Sequence, residues 1–230
     1  MALVQRVENS SDRPAILSNL SQVYQAQGDL AGAQQLQEEA VAASEQLLGP
    51  GHPWTGLAHN NLANLYLRKG ELALAETHGR KAVAVLEAAV GPAHRWVASS
   101  CDTLAGILAR QGRLTEAQKY AQRALKLREE ALGSDDPMLS APLDKLGYVY
   151  LEMGDARLAL PLLERALSLH IIEPAQLADV RFHTARALLE SGKDKRRARQ
   201  LAAQALEGYR ALGLKDDTVK VERWLKAFVP

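Results

Sequence analysis

Five glycines at a near-constant spacing constrain what this chain of 230 residues can fold into. They are Gly28, Gly70, Gly112, Gly154 and Gly192. The first four are 42 residues apart, and the fifth follows 38 residues later. Each glycine separates two segments in which apolar residues recur with the period of a helix. Such a long, regular period is typical of solenoids, whose repeats pack only against their neighbours. The spacing therefore predicts that function lies on an extended surface.

The residues around these glycines also correspond from one repeat to the next. The first segments carry a core leucine followed by a small residue, as Leu62-Ala63 and Leu104-Ala105 do, and the second segments carry alanines seven residues apart, such as Ala75 and Ala82. Two helical segments joined at a glycine form a helix hairpin, because glycine adopts the left-handed conformation that ends the first helix. The predicted hairpins cover residues 15-49, 57-91, 99-133, 141-172 and 177-213.

The two ends of the chain differ. At the C-terminus, Asp216 or Asp217 is the predicted N-cap of a single helix over residues 216-229, with Val221, Trp224, Leu225 and Phe228 on one face. This helix would cap the last repeat. At the N-terminus, Ala2 to Val7 reads as the stub of a second helix that lacks its partner. We therefore expect one solenoid over residues 1-230. The unpartnered stub suggests that this chain is the C-terminal part of a longer protein, a question that the sequence leaves open.

The repeated residues resemble the tetratricopeptide repeat (TPR), with its pattern W-x2-L-G-x2-Y followed by A-x3-F. The resemblance covers about residues 15 to 213, and Leu62-Ala63-x2-Tyr66 shows it most clearly. The length of 42 residues, with HNNLANLY after LGPGHP, is similar to the longer repeats of kinesin light chains and many bacterial signalling proteins. The resemblance implies an all-α, right-handed solenoid of about five antiparallel hairpins with a C-terminal capping helix.

Charge and composition argue against several classes of function. The net charge of +1 gives no basic field for nucleic acid. Cys101 is the only cysteine, so an intramolecular disulfide and a cysteine-based zinc site are excluded. The N-terminus has no secretory signal, and no run reaches the roughly 20 apolar residues that cross a bilayer. We expect a cytoplasmic protein without membrane contact.

No catalytic motif is present, so we expect no enzyme activity, no cofactor and no metal. His52 and His94 repeat at linker positions, where Asp136 takes the third place, which favours a capping role. His59 falls on the core stripe, so it is predicted to be buried and hydrogen-bonded. Cys101 occupies the same place one repeat later and is predicted to be a buried apolar residue.

The candidate binding residues lie on the first helix of each hairpin, because first helices line the concave face of such solenoids. Steps of three and four from the residue before each core leucine place side chains on one helical face. The predicted partner-binding residues are Asn19, Gln22, Asn61, Asn64, Arg68, Thr103, Arg110, Lys145 and Tyr148. Amides suit an extended peptide backbone, as the resemblance implies for Asn61, and the arginines suit an acidic side chain. Alternatively, these positions are simply solvated.

The prediction is a non-catalytic scaffold that binds a partner protein or peptide, with acidic side chains on the partner. The alternative is a regulatory segment of a larger bacterial kinase or transcription regulator. The oligomeric state is left open.

Trp54 and Trp96 are interpreted as staples that hold each first helix on the preceding repeat, or else as a binding hot spot. The basic run from Lys193 to Arg199 is interpreted as a solvated face, or else as a contact for an acidic partner.

Overall fold

A computed structural model describes residues 10–171 and 173–228, with Phe228 described by its backbone alone. The stub predicted over Ala2 to Val7 lies outside the described residues. Within the described residues the chain forms eleven α-helices and one short 3-10 helix, and no strand. This confirms the predicted all-α class. The chain divides into two compact units, Met1–Leu127 and Arg128–Pro230, and the single solenoid over residues 1-230 stays a prediction.

The described part of the first unit contains six helices, which correspond to three helix hairpins. They are α1 (Arg13–Ala26), α2 (Leu30–Leu47), α3 (Pro53–Lys69), α4 (Leu72–Val90), α5 (Arg95–Arg110) and α6 (Leu114–Leu132), of which the last turns of α6 belong to the second unit. Helices α1 and α2 pack together, as do α3 and α4, and α3 also contacts both α1 and α5. First helices therefore lie side by side along this unit.

The second unit repeats the same plan. A 3-10 turn, Pro137–Leu139, leads into α7 (Ser140–Glu152), which is followed by α8 (Ala156–Ser168), α9 (Pro174–Glu190), α10 (Lys195–Ala211) and α11 (Lys215–Phe228). Helix α7 packs on α8, α9 packs on α10, and α7 and α9 contact each other. Helix α11 packs on α10.

The helix boundaries follow the chemistry that the sequence predicted. All five spaced glycines have a left-handed backbone, with φ between 71° and 83°. At the other end of the turns, His52 and His94 each accept the backbone N–H two residues later at 3.2 Å, and Asp136 accepts that of Met138 at 2.7 Å. The predicted capping role of these three linker residues is confirmed, because each satisfies a helix N–H that has no partner within the helix.

Small residues allow the paired helices to approach closely. The repeated alanines Ala75, Ala82 and Ala117 are fully buried. Gly147 takes the small-residue place in α7, and a Cβ added there would lie 2.6 Å from Cγ of Leu163 on α8. A larger residue at this position would push the two helices apart. The core leucine Leu104 is also fully buried, as its repeated position predicts.

The capping helix begins earlier than predicted. Helix α11 starts at Lys215, and Asp216 and Asp217 lie in its first turn, so neither is the N-cap. The reason is that the carbonyl of Leu214 already accepts the backbone N–H of Thr218 at 3.0 Å. The two aspartates still favour this helix end, because carboxylates in a first turn complement the helix dipole. Val221 is buried and the Trp224 ring packs edge-on against Phe182, with centroids 5.6 Å apart.

Candidate functional site

The predicted binding residues of the first unit form one connected surface on α1, α3 and α5. We call the six side chains Asn19, Gln22, Asn61, Asn64, Arg68 and Arg110 the amide–arginine face. The side chains of Asn19, Gln22 and the two arginines are exposed, whereas those of Asn61 and Asn64 are half-buried. Steps of three and four along each helix place them on the side away from the second helices.

Thr103 has a supporting position in this surface. It is buried, with 5% of its surface exposed, and its hydroxyl donates to the carbonyl of Ser99 at 3.2 Å. The amide nitrogen of Asn64 donates to that same hydroxyl oxygen at 3.1 Å and to the carbonyl of Asn60 at 3.3 Å. Thr103 on α5 therefore fixes the orientation of Asn64 on α3.

The two arginines of the face both reach back to the preceding hairpin, over an equal separation of 43 residues. Nη1 of Arg68 donates to Oε1 of Gln25 at 2.9 Å, and Nη1 of Arg110 donates to the carbonyl of Leu67 at 2.7 Å. Both acceptors are neutral. Across the described part of the chain, neither guanidinium has a carboxylate within ion-pair distance. Their positive charges are therefore not compensated by the protein.

The second unit carries the other predicted residues, Lys145 and Tyr148, on α7. Both are half-buried, and the Tyr148 ring lies 5.1 Å from that of His183. His183 in turn contacts Asp144, with Nδ1 and Oδ1 2.7 Å apart. Tyr148 thus lies on the face of α7 that is turned towards α9.

One arginine on a first helix of the second unit, Arg186, is paired with neighbouring carboxylates. Arg186 on α9 bonds Glu152 at 2.9 Å and Glu190 at 3.2 Å. Burial lowers the pKa of Arg186, but the two carboxylates outweigh burial and the net pKa is raised. The Arg186 charge is therefore paired within the protein.

A cavity of about 470 Å³ opens beside the amide–arginine face, between α1, the end of α2 and the first half of α3. Asn19, Gln22 and Asn61 line it together. Its other walls include Trp54, with half of its surface exposed, and Asp12. The structure thus brings three of the predicted amides to one concave site.

A buried polar cluster lies on the opposite side of α3. His59 is 1% exposed, its Nε2 lies 3.3 Å from Oε1 of Glu45, and its Nδ1 lies 2.9 Å from Nδ1 of His78. Because the carboxylate can only accept, His59 donates through Nε2 and accepts at Nδ1 from His78. Burial and the charge of Lys81 lower the pKa of His59 to about 4. The prediction of a buried, hydrogen-bonded histidine is confirmed.

Three further predictions concern residues outside this surface. Cys101 is fully buried, and burial raises the pKa of its thiol to about 11, as expected for an inert apolar residue. The ring of Trp96 lies 5.7 Å from that of Trp54 in the preceding hairpin, which agrees with a staple for Trp96. Trp54 itself is half exposed and lines the cavity, so it is available to a ligand.

The basic run is a solvated surface over most of its length. All of its residues except Ala198 are exposed. Asp194 caps α10 by accepting the backbone N–H of Arg197 at 2.9 Å, and the side chain of Arg197 pairs with Glu164 at 2.7 Å. The run therefore starts a helix and belongs to the outer surface of the second unit.

Sequence reasoning missed one member of the site, Asp12, and named Trp54 only as an alternative binding hot spot. Both side chains meet the amides at the cavity. The repeated linker at Trp54 and Trp96 was a signal for the cavity edge, whereas nothing in the sequence pattern indicated Asp12.

Among the described residues no group of histidine, cysteine and carboxylate side chains is arranged to hold a metal ion, and no helix there is long and apolar enough to cross a membrane.

Comparisons with known proteins agree with this architecture. The sequence profile described as "MalT-like TPR region" matches residues 2–225. A search among proteins of curated function found no relative in sequence. Among solved structures, this chain is similar to the TPR-like repeats of a putative kinesin light chain from Podosopora anserina. The two sequences are 25% identical, and the structures superpose with a TM-score of 0.70 over 89% of this chain and 97% of that one.

Two further structures share the fold. BtubC (BKLC) from P. vanneervenii has a TM-score of 0.71 at 22% identity, over 90% of this chain and 83% of its own. A thermophilic TPR protein from Thermus thermophilus has a TM-score of 0.65 at 20% identity, over 90% of this chain and 98% of its own. The predicted resemblance to kinesin-light-chain-like TPR proteins is confirmed. A fold of this type suggests a protein–protein interaction scaffold and is generally non-catalytic.

Proposed function

Because this chain belongs to the family of MalT-like TPR regions, we propose that it is a non-catalytic scaffold that binds an extended peptide segment of a partner protein on the amide–arginine face. The observation that carries the proposal is the uncompensated charge of Arg68 and Arg110 beside a row of amides. Because neither guanidinium is paired with a carboxylate in the described part of the protein, both charges remain for a carboxylate of a ligand.

The amides suit a peptide main chain. An amide side chain both donates and accepts hydrogen bonds, as each peptide unit does. Asn64 uses its nitrogen within the protein, at 3.1 Å from Thr103, so it is held in one orientation. A side chain that is already ordered loses less conformational entropy when it binds. Asn19, Gln22 and Asn61 would contact the neighbouring peptide groups.

The arginines suit an acidic side chain on the same peptide. A guanidinium has five N–H donors, and one bond to Gln25 or to Leu67 leaves donors for a ligand carboxylate. Each arginine is also held in place by its bond to the preceding hairpin. Lys145 and Tyr148 on α7 offer a corresponding pair of contacts on the second unit.

The test begins with the selection of random dodecapeptides on the intact chain, displayed on phage. Selected peptides are labelled, and their dissociation constants are measured by fluorescence anisotropy. Arg68→Ala combined with Arg110→Ala should weaken binding at least tenfold, about 1.4 kcal/mol, because two hydrogen bonds to charged groups are lost. Binding to the wild-type chain should also weaken as salt rises.

The matched control removes the same charge elsewhere. Arg196 and Arg199 lie in the exposed basic run of the second unit. The double variant Arg196→Ala with Arg199→Ala should change the dissociation constant less than twofold. If the selected peptides bind the Arg68 and Arg110 double variant as tightly as the wild type, or if no peptide is selected, the proposed function is wrong.

A further inference from the structure

The described lining of the cavity beside the amide–arginine face contains one carboxylate and no lysine or arginine. Among the residues that line it, Asp12 and His52 are the ones with ionisable side chains. Asp12 stands at the N-cap of α1, yet its side chain makes no capping bond and is exposed. The adjacent Arg13 does not neutralise it, because its guanidinium pairs with Glu39 on α2. His52 accepts the Trp54 N–H through Nδ1, so this nitrogen carries no proton.

An apolar and aromatic wall stands beside this carboxylate. Trp54 has 50% of its surface exposed, and Leu57 lies one turn later on α3. The electron-rich face of an indole attracts a cation, and Trp is the strongest of the aromatic side chains in this respect. The wall also suits the aliphatic stem of a long basic side chain, which packs on apolar surface while its charged end stays near water.

A buried side chain with an unpartnered acceptor lies behind the cavity. The side chain of Gln37 is fully buried, and its Nε2 donates to the hydroxyl oxygen of Ser18 and to the carbonyl of Ala58, both at 3.2 Å. Both of these partners line the cavity. Oε1 of Gln37 has no hydrogen-bond partner. The amides of the lining can accept further N–H groups from an occupant, because each amide oxygen is an acceptor.

From these observations we propose that the cavity is the subsite for a cationic side chain, an arginine, of the bound peptide. This inference rests on the proposed function and specifies its ligand. The guanidinium would pair with Asp12 and lie against the Trp54 ring, and its stem would pack on Leu57. Trp54 and Arg68 lie at opposite ends of α3, roughly 20 Å apart at 1.5 Å per residue. The partner segment therefore carries a basic residue for the cavity end and an acidic residue for the arginine end.

The test uses Nα-acetyl-arginine amide as a probe on the intact chain, with the indole N–H resonance of Trp54 followed by NMR. The comparison probe is Nα-acetyl-citrulline amide, which has nearly the same shape but no charge. We expect the arginine probe to shift the Trp54 resonance and to saturate at a concentration at least fivefold lower than the citrulline probe. Equal binding of the two probes, or no shift with either, overturns the inference.

Variants locate the charge that is responsible. Asp12→Asn should reduce binding of the arginine probe to the level of the citrulline probe, and thermal unfolding should be unchanged because Asp12 makes no capping bond. Glu207→Gln removes one exposed carboxylate from the second unit and should leave binding unchanged. If Asp12→Asn binds the arginine probe as tightly as the wild type, the inference is wrong.

The two proposals can fail separately. The probe has no acidic group and no extended peptide chain, so its binding does not depend on Arg68 or Arg110. If the selected dodecapeptides need Arg68 and Arg110 but bind the Asp12→Asn variant as tightly as the wild type, the proposed function is retained and the subsite is rejected. If the arginine probe needs Asp12 but the dodecapeptides bind equally well without the two arginines, the subsite is retained and the amide–arginine face is rejected.

Discussion

The two compact units use the same hairpin, but the arginines Arg68, Arg110 and Arg186 on their first helices have different partners. In the first unit Arg68 and Arg110 bond an amide oxygen and a backbone carbonyl, so their charges stay uncompensated. In the second unit Arg186 bonds two carboxylates, Glu152 and Glu190. The fold therefore does not dictate the use of the charge. What differs is the acceptor, which is neutral for Arg68 and Arg110 and a carboxylate for Arg186.

The buried positions show the opposite trend, since both units rely on one kind of core. Leu104 in the first unit is fully buried, and Leu146 in the second occupies the same place with 4% of its surface exposed. The units therefore differ at their surfaces far more than in their packing, as expected when each repeat is stabilised only by its neighbours. The following predictions test this contrast.

The largest effect should come from the shared core. Leu104→Ala and Leu146→Ala should each lower the free energy of unfolding by about 2–5 kcal/mol, because a large buried side chain is lost and a cavity remains. Urea unfolding followed by circular dichroism measures both. Asn19→Ala, on the exposed surface of α1, is the control and should change stability by less than about 0.5 kcal/mol. A small effect at either leucine would show that the repeats do not share a core.

A smaller effect should distinguish the units by pH. Burial lowers the pKa of His59 from 6.5 to about 4, so the unfolded chain binds this proton more tightly than the folded chain. The free energy of unfolding should therefore fall as pH drops from 6.5 towards 4, by about 2 kcal/mol at pH 5 relative to pH 7.5. The second unit has Leu143 at the matching position, so the first unit should account for this loss.

His59→Leu provides the comparison for this effect, because the leucine reproduces the side chain found in the second unit. Urea unfolding at pH 7.5, 6 and 5 should show a flatter pH dependence for the variant than for the wild type. Native-state hydrogen exchange should place the loss in α3 and α4 and spare α7. An equal pH dependence in both proteins would assign the effect to other groups.

The smallest effect should come from the arginines themselves. Arg186→Met should cost about 1 kcal/mol, because it breaks two partly buried ion pairs and leaves both glutamates uncompensated. Arg110→Met should cost less than about 0.5 kcal/mol, because it removes one exposed bond to a carbonyl. Hydrogen exchange of the α9 and α5 amides measures the two costs separately. Equal costs would contradict the difference between the units.

Much of the fold could be predicted from the sequence because repeats average out local ambiguity. The glycine spacing, the alanine pairs and the linker caps at His52, His94 and Asp136 each appear several times, so a single pattern fixes helix type and hairpin boundaries. The capping helix has no repeated counterpart, and its start at Lys215 was missed. Backbone hydrogen bonding at Leu214 decided this boundary, and no side-chain pattern reports it.

The sequence by itself determined the all-α repeat, the buried histidine and the row of amides and arginines, because helical periodicity states which side chains share a face. Only the tertiary structure decided what those side chains meet. Arg110 bonds the carbonyl of Leu67, His59 pairs with His78, and Asp12 joins Trp54 and the amides at one cavity. Such contacts join different helices, and their distances depend on how closely small residues let the helices pack, which periodicity within one helix cannot specify.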